Sequence, residues 1–491
     1  MKSGMVHVIR AFTLLYLAAP MLALAQPTLN PLYSFTALSG AGSTNADGAV
    51  PTGGLVVAEG NVYGTALVGG AYGQGTVFVV NVNGLGFTNL HDFTGGDDGA
   101  QPLTGLVLSG NTLYGTTRQG GSASNGKLFA INTGGSNFTP VYSFSASTFN
   151  PINFTSTNTD GAGPMGDLIV SGSTLYGTAN GGGKYGQGTV FAINTNHLGF
   201  TNLHSFALVS GSSGTNSEGA NPFGALLLAG DRLYGTTYHG GNSGNGTIFA
   251  VKTDSTGFPN LHNFAGGANE GAHPEAGLVL VDNMLYGTTA FGGSGGNGTL
   301  FAINTNGTGF TNLHNFTLLS QGTNSDGAMP KCALAGSGNM LYGTATGGGI
   351  NGNGTVFSLS IGSTQFTTVY SFSPVDPINF TTNSDGVAPF AGLFLSGDAF
   401  YGTAQNGGGS GDGTVFALIL AALPPSLAIA LVETNALISW PASASDYTLQ
   451  TATNLTSGIW SNITSGIGVL GTNSVFTNLA TRSAAYFRLQ K

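Results

Sequence analysis

A Tyr-Gly-Thr triplet recurs seven times along this chain, at steps of 51 to 62 residues. Internal periods of this length are typical of solenoids, propellers and other repeat arrays. One such repeat cannot bury its apolar surface alone, so neighbouring copies have to stack on each other. We therefore interpret the triplet tyrosines as structural residues of the repeat; they are Tyr63, Tyr114, Tyr176, Tyr234, Tyr286, Tyr342 and Tyr401.

A single repeat, residues 276–316, contains four short strand candidates separated by tight turns. Four antiparallel strands of this kind form one blade of a β-propeller. The other copies keep the same order, but the seventh lacks its fourth strand, and residues 31–35 match that strand. We therefore predict an all-β fold: a seven-bladed β-propeller over residues 29–420, closed by an N-terminal strand. An open solenoid that begins in mid-repeat is the alternative.

The repeat unit, LYGTT…GG…GTVFAINT…FTNLHSF, resembles the GloVer tandem repeat of exported bacterial proteins. The similarity covers roughly residues 29–420. The unit is more distantly similar to Kelch repeats, which also place a Gly-Gly pair after the second strand, although it lacks their later tryptophan. The resemblance implies a secreted or surface repeat protein of undetermined activity, and it transfers no catalytic residues.

The N-terminus has the features of a secretory signal peptide, which we assign to residues 1–25. Lys2 and Arg10 supply the positive start, an apolar run follows, and Ala23-Leu24-Ala25 forms a small-x-small cleavage site. We expect a secreted, extracellular or outer-surface protein, or a periplasmic one, with no transmembrane anchor after signal removal. The single cysteine, Cys332, excludes an intramolecular disulfide and is interpreted as a buried small hydrophobe.

Charge is sparse in this chain. Only 6% of the residues are charged and the formal net charge is −9, which argues against nucleic acid as a partner. The 41% of hydrophobic residues, with 31 Phe among them, exceeds what a disordered chain carries. The partners that we expect are therefore an extracellular glycan or a protein.

The repeat register ends near residue 420. Residues 421–425 are interpreted as a linker, and residues 426–491 contain both tryptophans and several strand candidates. Their pattern is similar to the fibronectin-III-like modules of exported bacterial proteins, and we predict a small C-terminal β-sandwich. Whether that module anchors, caps or sorts the protein is left open.

Each loop from a fourth strand to the next first strand carries an acidic residue, Gly, a small residue, a variable residue and Pro. A ring of carboxylates could bind calcium, which prefers oxygen ligands. The same residues also make a good turn, in which the carboxylate accepts backbone N–H groups. We favour the turn and therefore predict no cofactor. Calcium binding is the alternative, for which the candidate ligands are Asp47, Asp160, Asp326 and Asp385.

Four histidines occupy one slot on the fourth strand, and tyrosine takes it in the remaining copies. This interchange indicates a slot for a flat amphipathic ring and argues against metal ligands. Ligand binding is expected instead where the copies differ, on glycine-rich loops with exposed aromatic or basic residues. The ligand-binding candidates are Tyr72, Arg118, Tyr185, Tyr238, His239, Phe291 and His273.

No catalytic motif with its required context occurs in the sequence, so we predict no catalytic residue. We favour a binding or interaction scaffold that acts through its glycine-rich and acidic-Gly loop face. The alternatives are an extracellular polysaccharide-active enzyme, hydrolase or lyase, and a structural surface component. A pair of carboxylates meeting a basic residue in a deep axial pocket would favour the enzyme, whereas a shallow aromatic face would favour binding.

Overall fold

The computed structural model describes residues 27–379, 381–420, 428–432, 435–441, 447–452, 459–470, 473–479 and 486–490. Within these ranges every regular element is a β-strand, which confirms the predicted all-β class. The predicted signal peptide and linker lie outside the described residues. The chain divides into two compact units, one of residues 27–419 and one that includes the described residues from 420 onward.

The strands of the larger unit follow the predicted repeats. Strand β1 (Thr28–Ser34) precedes the first triplet. The first three repeats contain β2 (Val56–Ala58), β3 (Asn61–Ala66), β4 (Thr76–Asn81), β5 (Thr88–Asp92), β6 (Val107–Ser109), β7 (Thr112–Thr117), β8 (Lys127–Asn132), β9 (Thr139–Ser143), β10 (Thr148–Asn150), β11 (Thr155–Thr157), β12 (Ala162–Pro164), β13 (Ile169–Ser171), β14 (Thr174–Gly181), β15 (Thr189–Asn194) and β16 (Thr201–Ser205).

The last four repeats continue this series. They contain β17 (Leu227–Ala229), β18 (Arg232–Thr237), β19 (Thr247–Lys252), β20 (Asn260–Asn263), β21 (Gly271–Ala272), β22 (Val279–Val281), β23 (Met284–Thr289), β24 (Phe291–Gly292), β25 (Thr299–Asn304), β26 (Thr311–Asn315), β27 (Ala335–Ser337), β28 (Met340–Ala345), β29 (Thr355–Ser360), β30 (Phe366–Ser371), β31 (Phe394–Ser396), β32 (Ala399–Ala404) and β33 (Thr414–Ile419).

Each repeat forms one main antiparallel sheet whose strands lie in chain order, except that β12 and β13 both pair with β14 in the third repeat and that the seventh has the order β1-β33-β32-β31. Two further two-stranded sheets pair β10 with β11 and β21 with β24. We number these sheets by repeat: sheet 1 is β2–β5, sheet 2 is β6–β9, sheet 3 is β13–β16 with β12, sheet 4 is β17–β20, sheet 5 is β22, β23, β25 and β26, sheet 6 is β27–β30, and sheet 7 is β31–β33 with β1. In sheet 7 the fourth position is thus taken by β1, the first of the described strands. Its register runs from Thr28 opposite Ile419 to Ser34 opposite Thr414.

Strand β1 reproduces a detail of the other fourth strands. Its pairing with β33 shifts by one residue between Pro31 and Tyr33. The six other sheets carry the same shift between their third and fourth strands. A bulge of this kind bends the strand locally. The match shows that β1 occupies the position of a fourth strand in its geometry as well as in its sequence.

Each residue of the Tyr-Gly-Thr triplet makes a different structural contact, as the first copy illustrates. Tyr63 is buried between sheets 1 and 2. Gly64 lies opposite Phe78, and a Cβ on Gly64 would come within 2.6 Å of Phe78 Cζ. Thr65 Oγ1 donates a hydrogen bond of 2.7 Å to the carbonyl of Thr104 in the next repeat. The triplet therefore packs one sheet and ties it to the following one.

The core lies between successive sheets. Leu55 and Phe78 of sheet 1 pack with Phe35 and Val415 of sheet 7 in one buried cluster. On its other side, sheet 1 packs against sheet 2 in a second cluster. Full burial of a phenylalanine stabilises a fold by about 1.5–3 kcal/mol relative to an exposed one. Sheet-to-sheet burial is therefore the main source of stability in this unit.

The second unit contains two antiparallel sheets in its described residues. Ile438, Trp440 and Leu449 form its described core. One sheet has the order β34-β35-β39-β38 and the other β37-β36-β40, where β34 is Ala428–Val432, β35 Asn435–Pro441, β36 Thr448–Ala452, β37 Ser461–Asn462, β38 Ile467–Leu470, β39 Asn473–Leu479 and β40 Tyr486–Gln490.

Candidate functional site

In every repeat, the backbone makes a tight bend at the residue before a proline, a few residues ahead of the first strand of the sheet. The residue before that proline has φ between +54° and +59° in every repeat, a backbone region in which non-glycine residues are uncommon and strained. Its N–H donates to a carbonyl of the preceding repeat, as from Gln101 to Gln74 at 2.8 Å. The bond from Val50 to Asp412, also 2.8 Å, joins sheets 1 and 7 in the same way.

The residue after each proline lines one shared cavity of about 230 Å³. All seven repeats contribute to this lining, and we call the space the axial cavity. Its seven post-proline residues are Thr52, Leu103, Met165, Phe223, Glu275, Lys331 and Phe390. Backbone bends that occur in every copy thus bring side chains that differ between the copies to one place.

Asp167 departs from the repeat at the edge of this cavity. The corresponding position, three residues after the proline, is Gly or Ala in the six other copies. Asp167 Oδ1 accepts a hydrogen bond of 2.6 Å from the N–H of Gly105. Its Oδ2 lies 2.9 Å from the place that a Cβ on Gly54 would take. The carboxyl therefore reaches two other repeats, and burial raises its pKa against the effect of the Gly105 hydrogen bond.

Charged side chains are concentrated in the axial cavity. Arg118, Asp167, Glu275 and Lys331 all line it, although only 6% of the chain is charged. Lys331 Nζ lies 3.1 Å from Glu275 Oε1. Burial raises the pKa of Glu275, while Lys331 and His273 act in the opposite direction. Such mixed, partly buried charges are more typical of a binding or catalytic site than of repeat packing.

An aromatic cluster lies beside these charges. The Tyr238 ring stacks on His273 at 4.6 Å between centroids, and it contacts Phe223 at 5.3 Å and His239 at 4.5 Å. His273 in turn meets Phe291 edge-on at 6.0 Å. The Nδ1 of His273 lies 2.8 Å from the Tyr238 carbonyl oxygen, which fixes the ring. Burial raises the pKa of Tyr238, and the charge of Glu275 adds to the effect.

The predicted ligand-binding residues fall into two groups. Tyr238, His239, His273 and Phe291 come together in the aromatic cluster, and Arg118 lines the axial cavity. Tyr72 and Tyr185 are exposed on loops and are not among the residues that line it. Tyr185 instead borders a shallow groove with His204 and Glu218.

The sequence predictions did not single out Asp167, Glu275, Phe223 or Phe390. A comparison of the repeats could have pointed to them, because the residue after the proline differs in nearly every copy and because Asp167 replaces a small residue. Cys332 also lines the cavity and is buried, and burial raises the pKa of its thiol. Its sulfur accepts hydrogen bonds from the backbone N–H and hydroxyl of Thr344.

The acidic residues of the turns have protein partners. Asp47 accepts hydrogen bonds from the Tyr33 hydroxyl at 2.7 Å and from the Thr36 N–H at 2.8 Å. The three other weak metal-ligand candidates, Asp160, Asp326 and Asp385, are bound in the same way by Tyr142 and Ser145, His314 and Thr317, and Tyr370 and Ser373. Among the described residues, no group of three or more His, Cys, Asp or Glu side chains could hold a metal ion.

The histidines of the fourth-strand slot pair with these same acids. His91 Nε2 lies 3.1 Å from Asp98 Oδ2, and its ring stacks on Phe138 of the next sheet at 3.8 Å. Tyr33 makes the equivalent contacts to Asp47 and Phe87. His204, His262 and His314 pair with Glu218, Glu270 and Asp326. The slot holds a flat ring with one polar tip, whichever residue supplies it.

Several solved structures are similar to this chain at low identity. An oligogalacturonate lyase in complex with manganese is 11% identical, with TM-score 0.43 and coverage of 81% of this chain and 98% of that one. A puromycin-hydrolyzing peptidase of Mycobacterium tuberculosis is 11% identical, with TM-score 0.43 and coverage of 81% and 62%. A putative TolB from Agrobacterium tumefaciens is 10% identical, with TM-score 0.35 and coverage of 69% and 95%.

The search of curated proteins gives no match. Across the described residues, no helix is long and apolar enough to span a membrane. The model of the Gloeobacter/Verrucomicrobia repeat matches residues 23–217, 147–324 and 267–423, which together cover the whole repeat region. The chain therefore belongs to the Gloeobacter/Verrucomicrobia repeat family.

Proposed function

We propose that this protein is a secreted or cell-surface scaffold that binds a small extracellular ligand in the axial cavity. The ligand is a free molecule or the terminal unit of a glycan or peptide. One observation carries the proposal: seven post-proline residues, one from each repeat, line a single cavity in which charge is concentrated. A cavity of about 230 Å³ is smaller than the roughly 300–1,000 Å³ of drug-sized sites, which suits a single small unit.

We further propose that residues 29–420 form a closed seven-bladed β-propeller. The pairing of β1 with β33, the hydrogen bond from Val50 to Asp412 and the shared core of sheets 1 and 7 support closure. Export is supported by the features of residues 1–25. The two sheets of the second unit support a small β-sandwich over residues 426–491.

The binding role is tested by saturation-transfer NMR on the mature protein with a library of monosaccharides, amino acids and short peptides. Met165→Trp fills the axial cavity, and Tyr72→Ala changes an exposed residue outside it. We expect at least one ligand whose affinity falls tenfold or more in Met165→Trp and is unchanged in Tyr72→Ala. Circular dichroism checks that each variant is folded. Binding that is equal in all three proteins would contradict the proposed site.

A second candidate function is an extracellular polysaccharide hydrolase or lyase. It is favoured by two carboxyls with raised pKa, Asp167 and Glu275, in one cavity with Arg118 and Lys331. Environments of this kind tune acids for proton transfer. A screen for new reducing ends or unsaturated products tests it, with Glu275→Gln and Asp167→Asn as variants. Turnover that both variants abolish would replace the binding role with the enzymatic one.

A further inference from the structure

We infer that the axial cavity binds a small zwitterion, an α-amino acid with an apolar side chain, whose carboxylate meets Arg118 and whose ammonium group meets Asp167. This inference rests on the proposed binding role of the cavity and names its ligand class. Two observations support it. Some charges in the cavity are already paired with each other, and apolar residues lie beside the charges that are not paired.

Two of the four charges in the cavity neutralise each other. Lys331 and Glu275 form an ion pair of 3.1 Å, and both side chains are largely buried. Breaking such a pair for a ligand would leave a buried charge without a partner, which is costly. Lys331 and Glu275 are therefore part of the cavity wall, and they leave the two remaining charges to the ligand.

Arg118 and Asp167 are the remaining charges. Neither makes an ion pair within 4 Å of another described residue, and Arg118 is exposed. Asp167 Oδ1 takes the Gly105 N–H, whereas Oδ2 has no hydrogen bond to another described residue. A guanidinium group binds a carboxylate with two parallel hydrogen bonds, and a carboxylate accepts from an ammonium group.

The signs of these charges decide between ligand classes. A purely anionic ligand, such as a sugar acid, would gain from Arg118 but would bring negative charge close to Asp167. A purely cationic ligand would gain from Asp167 but would meet the charge of Arg118. At the short distances within so small a cavity, like-charge repulsion offsets such a gain. A zwitterion satisfies both groups, and the site then stays neutral overall.

The apolar part of the cavity comes from the repeats of these two charges and from the repeat that follows them. Leu103 follows the proline in the repeat of Arg118, Met165 does so in the repeat of Asp167, and Phe223 comes from the next repeat. These three side chains supply an apolar surface for an aliphatic or aromatic side chain. A hexose, which carries hydroxyls around its ring, would leave several of them without partners on this surface.

Isothermal titration calorimetry with the mature protein tests the inference. L-leucine and L-phenylalanine are the probes, and N-acetyl-L-leucine and L-leucinamide each lack one charge. We expect leucine to bind and each capped analogue to lose roughly tenfold or more, the effect of one charged hydrogen-bonding contact. Glucose and glucuronate serve as neutral and anionic comparison ligands.

Variants assign each charge of the ligand to one residue. Arg118→Gln should weaken leucine binding but strengthen leucinamide binding, because it removes a like charge from the cation. Asp167→Asn should likewise weaken leucine binding but strengthen N-acetyl-leucine binding. Lys252→Gln removes a surface lysine outside the cavity and should change nothing. Capped analogues that bind as tightly as leucine would overturn the inference. Binding of sugars alone would overturn it while leaving the binding role, whereas binding of no probe or library ligand by the folded protein would overturn both.

Discussion

Gly235 lies directly opposite Phe249, whose Cζ is 2.5 Å from the position that a Cβ on Gly235 would occupy. Gly235→Ala should therefore destabilise the protein by about 1–3 kcal/mol through overpacking. Gly134→Ala is the matched control, because that glycine has open space around it. The apparent melting temperature should fall for the first variant only, and Phe249→Leu should restore part of the loss. Equal melting temperatures for the two glycine variants would contradict this account of the triplet.

Removal of β1 should expose the edge of β33. Phe35, which is fully buried between sheets 1 and 7, would be lost with it. An uncovered edge strand pairs readily with other chains. A chain that begins at Ala37 should therefore form soluble aggregates or oligomers, whereas one that begins at Pro27 should stay monomeric by light scattering. Monomeric behaviour and an unchanged melting temperature in the shorter chain would count against a structural role for β1.

We predict that the stability of the protein depends on pH because of the partly buried position of His91 on the fourth strand. Burial lowers the pKa of His91 below its ordinary value, although Asp98 opposes the shift. As the pH falls through about 6.5, the unfolded chain therefore binds a proton at this histidine before the folded chain does, and the free energy of unfolding decreases. His91→Tyr, the residue that other copies use, should keep the contact to Asp98 without this loss. The melting temperature of the wild-type protein relative to that of His91→Tyr should fall as the pH is lowered from 8 to 5, and a difference that does not change with pH would contradict this reasoning.

Asp326 should contribute stability in a lower pH range. Burial raises its pKa, but the hydrogen bonds from His314 and Thr317 prevail and hold the pKa below its usual value. The contribution is present above the unfolded pKa of about 3.9 and is lost as the pH falls through the folded pKa. Asp326→Asn should therefore lower the melting temperature by more at pH 6 than at pH 3. A constant difference across this range would contradict the assignment.

Calcium should not stabilise the repeat region. The carboxylates of Asp47 and Asp160 already accept hydrogen bonds from protein donors, so an ion would have to displace those donors. Addition of calcium or of a chelator should leave the melting temperature within experimental error. A calcium-dependent increase of several degrees would instead support the carboxylate ring as a metal site.

The sequence predicted the strands well because each repeat carries its own local signals. TLFAIN at 299–304, for example, forms β25 with those same ends. The side-chain hydrogen bonds to the acidic turn residues were not predicted, because contacts such as that of Tyr33 with Asp47 form only when the chain folds. The axial cavity was missed for the same reason. Glu275 and Asp167 are more than 100 residues apart in the sequence, and only the stacking of the sheets brings them to one lining.

The pairing of β1 with β33 has a consequence for how the molecule is made. Strand β1 leaves the ribosome nearly 400 residues before its partner strand has been made. Throughout that interval β1 has no partner strand, and sheet 7 can be completed only after β33 has been made. In a crowded population of nascent chains, the β1 of a neighbouring molecule can take the same place. Such strand exchange would link copies through a contact identical to the native one.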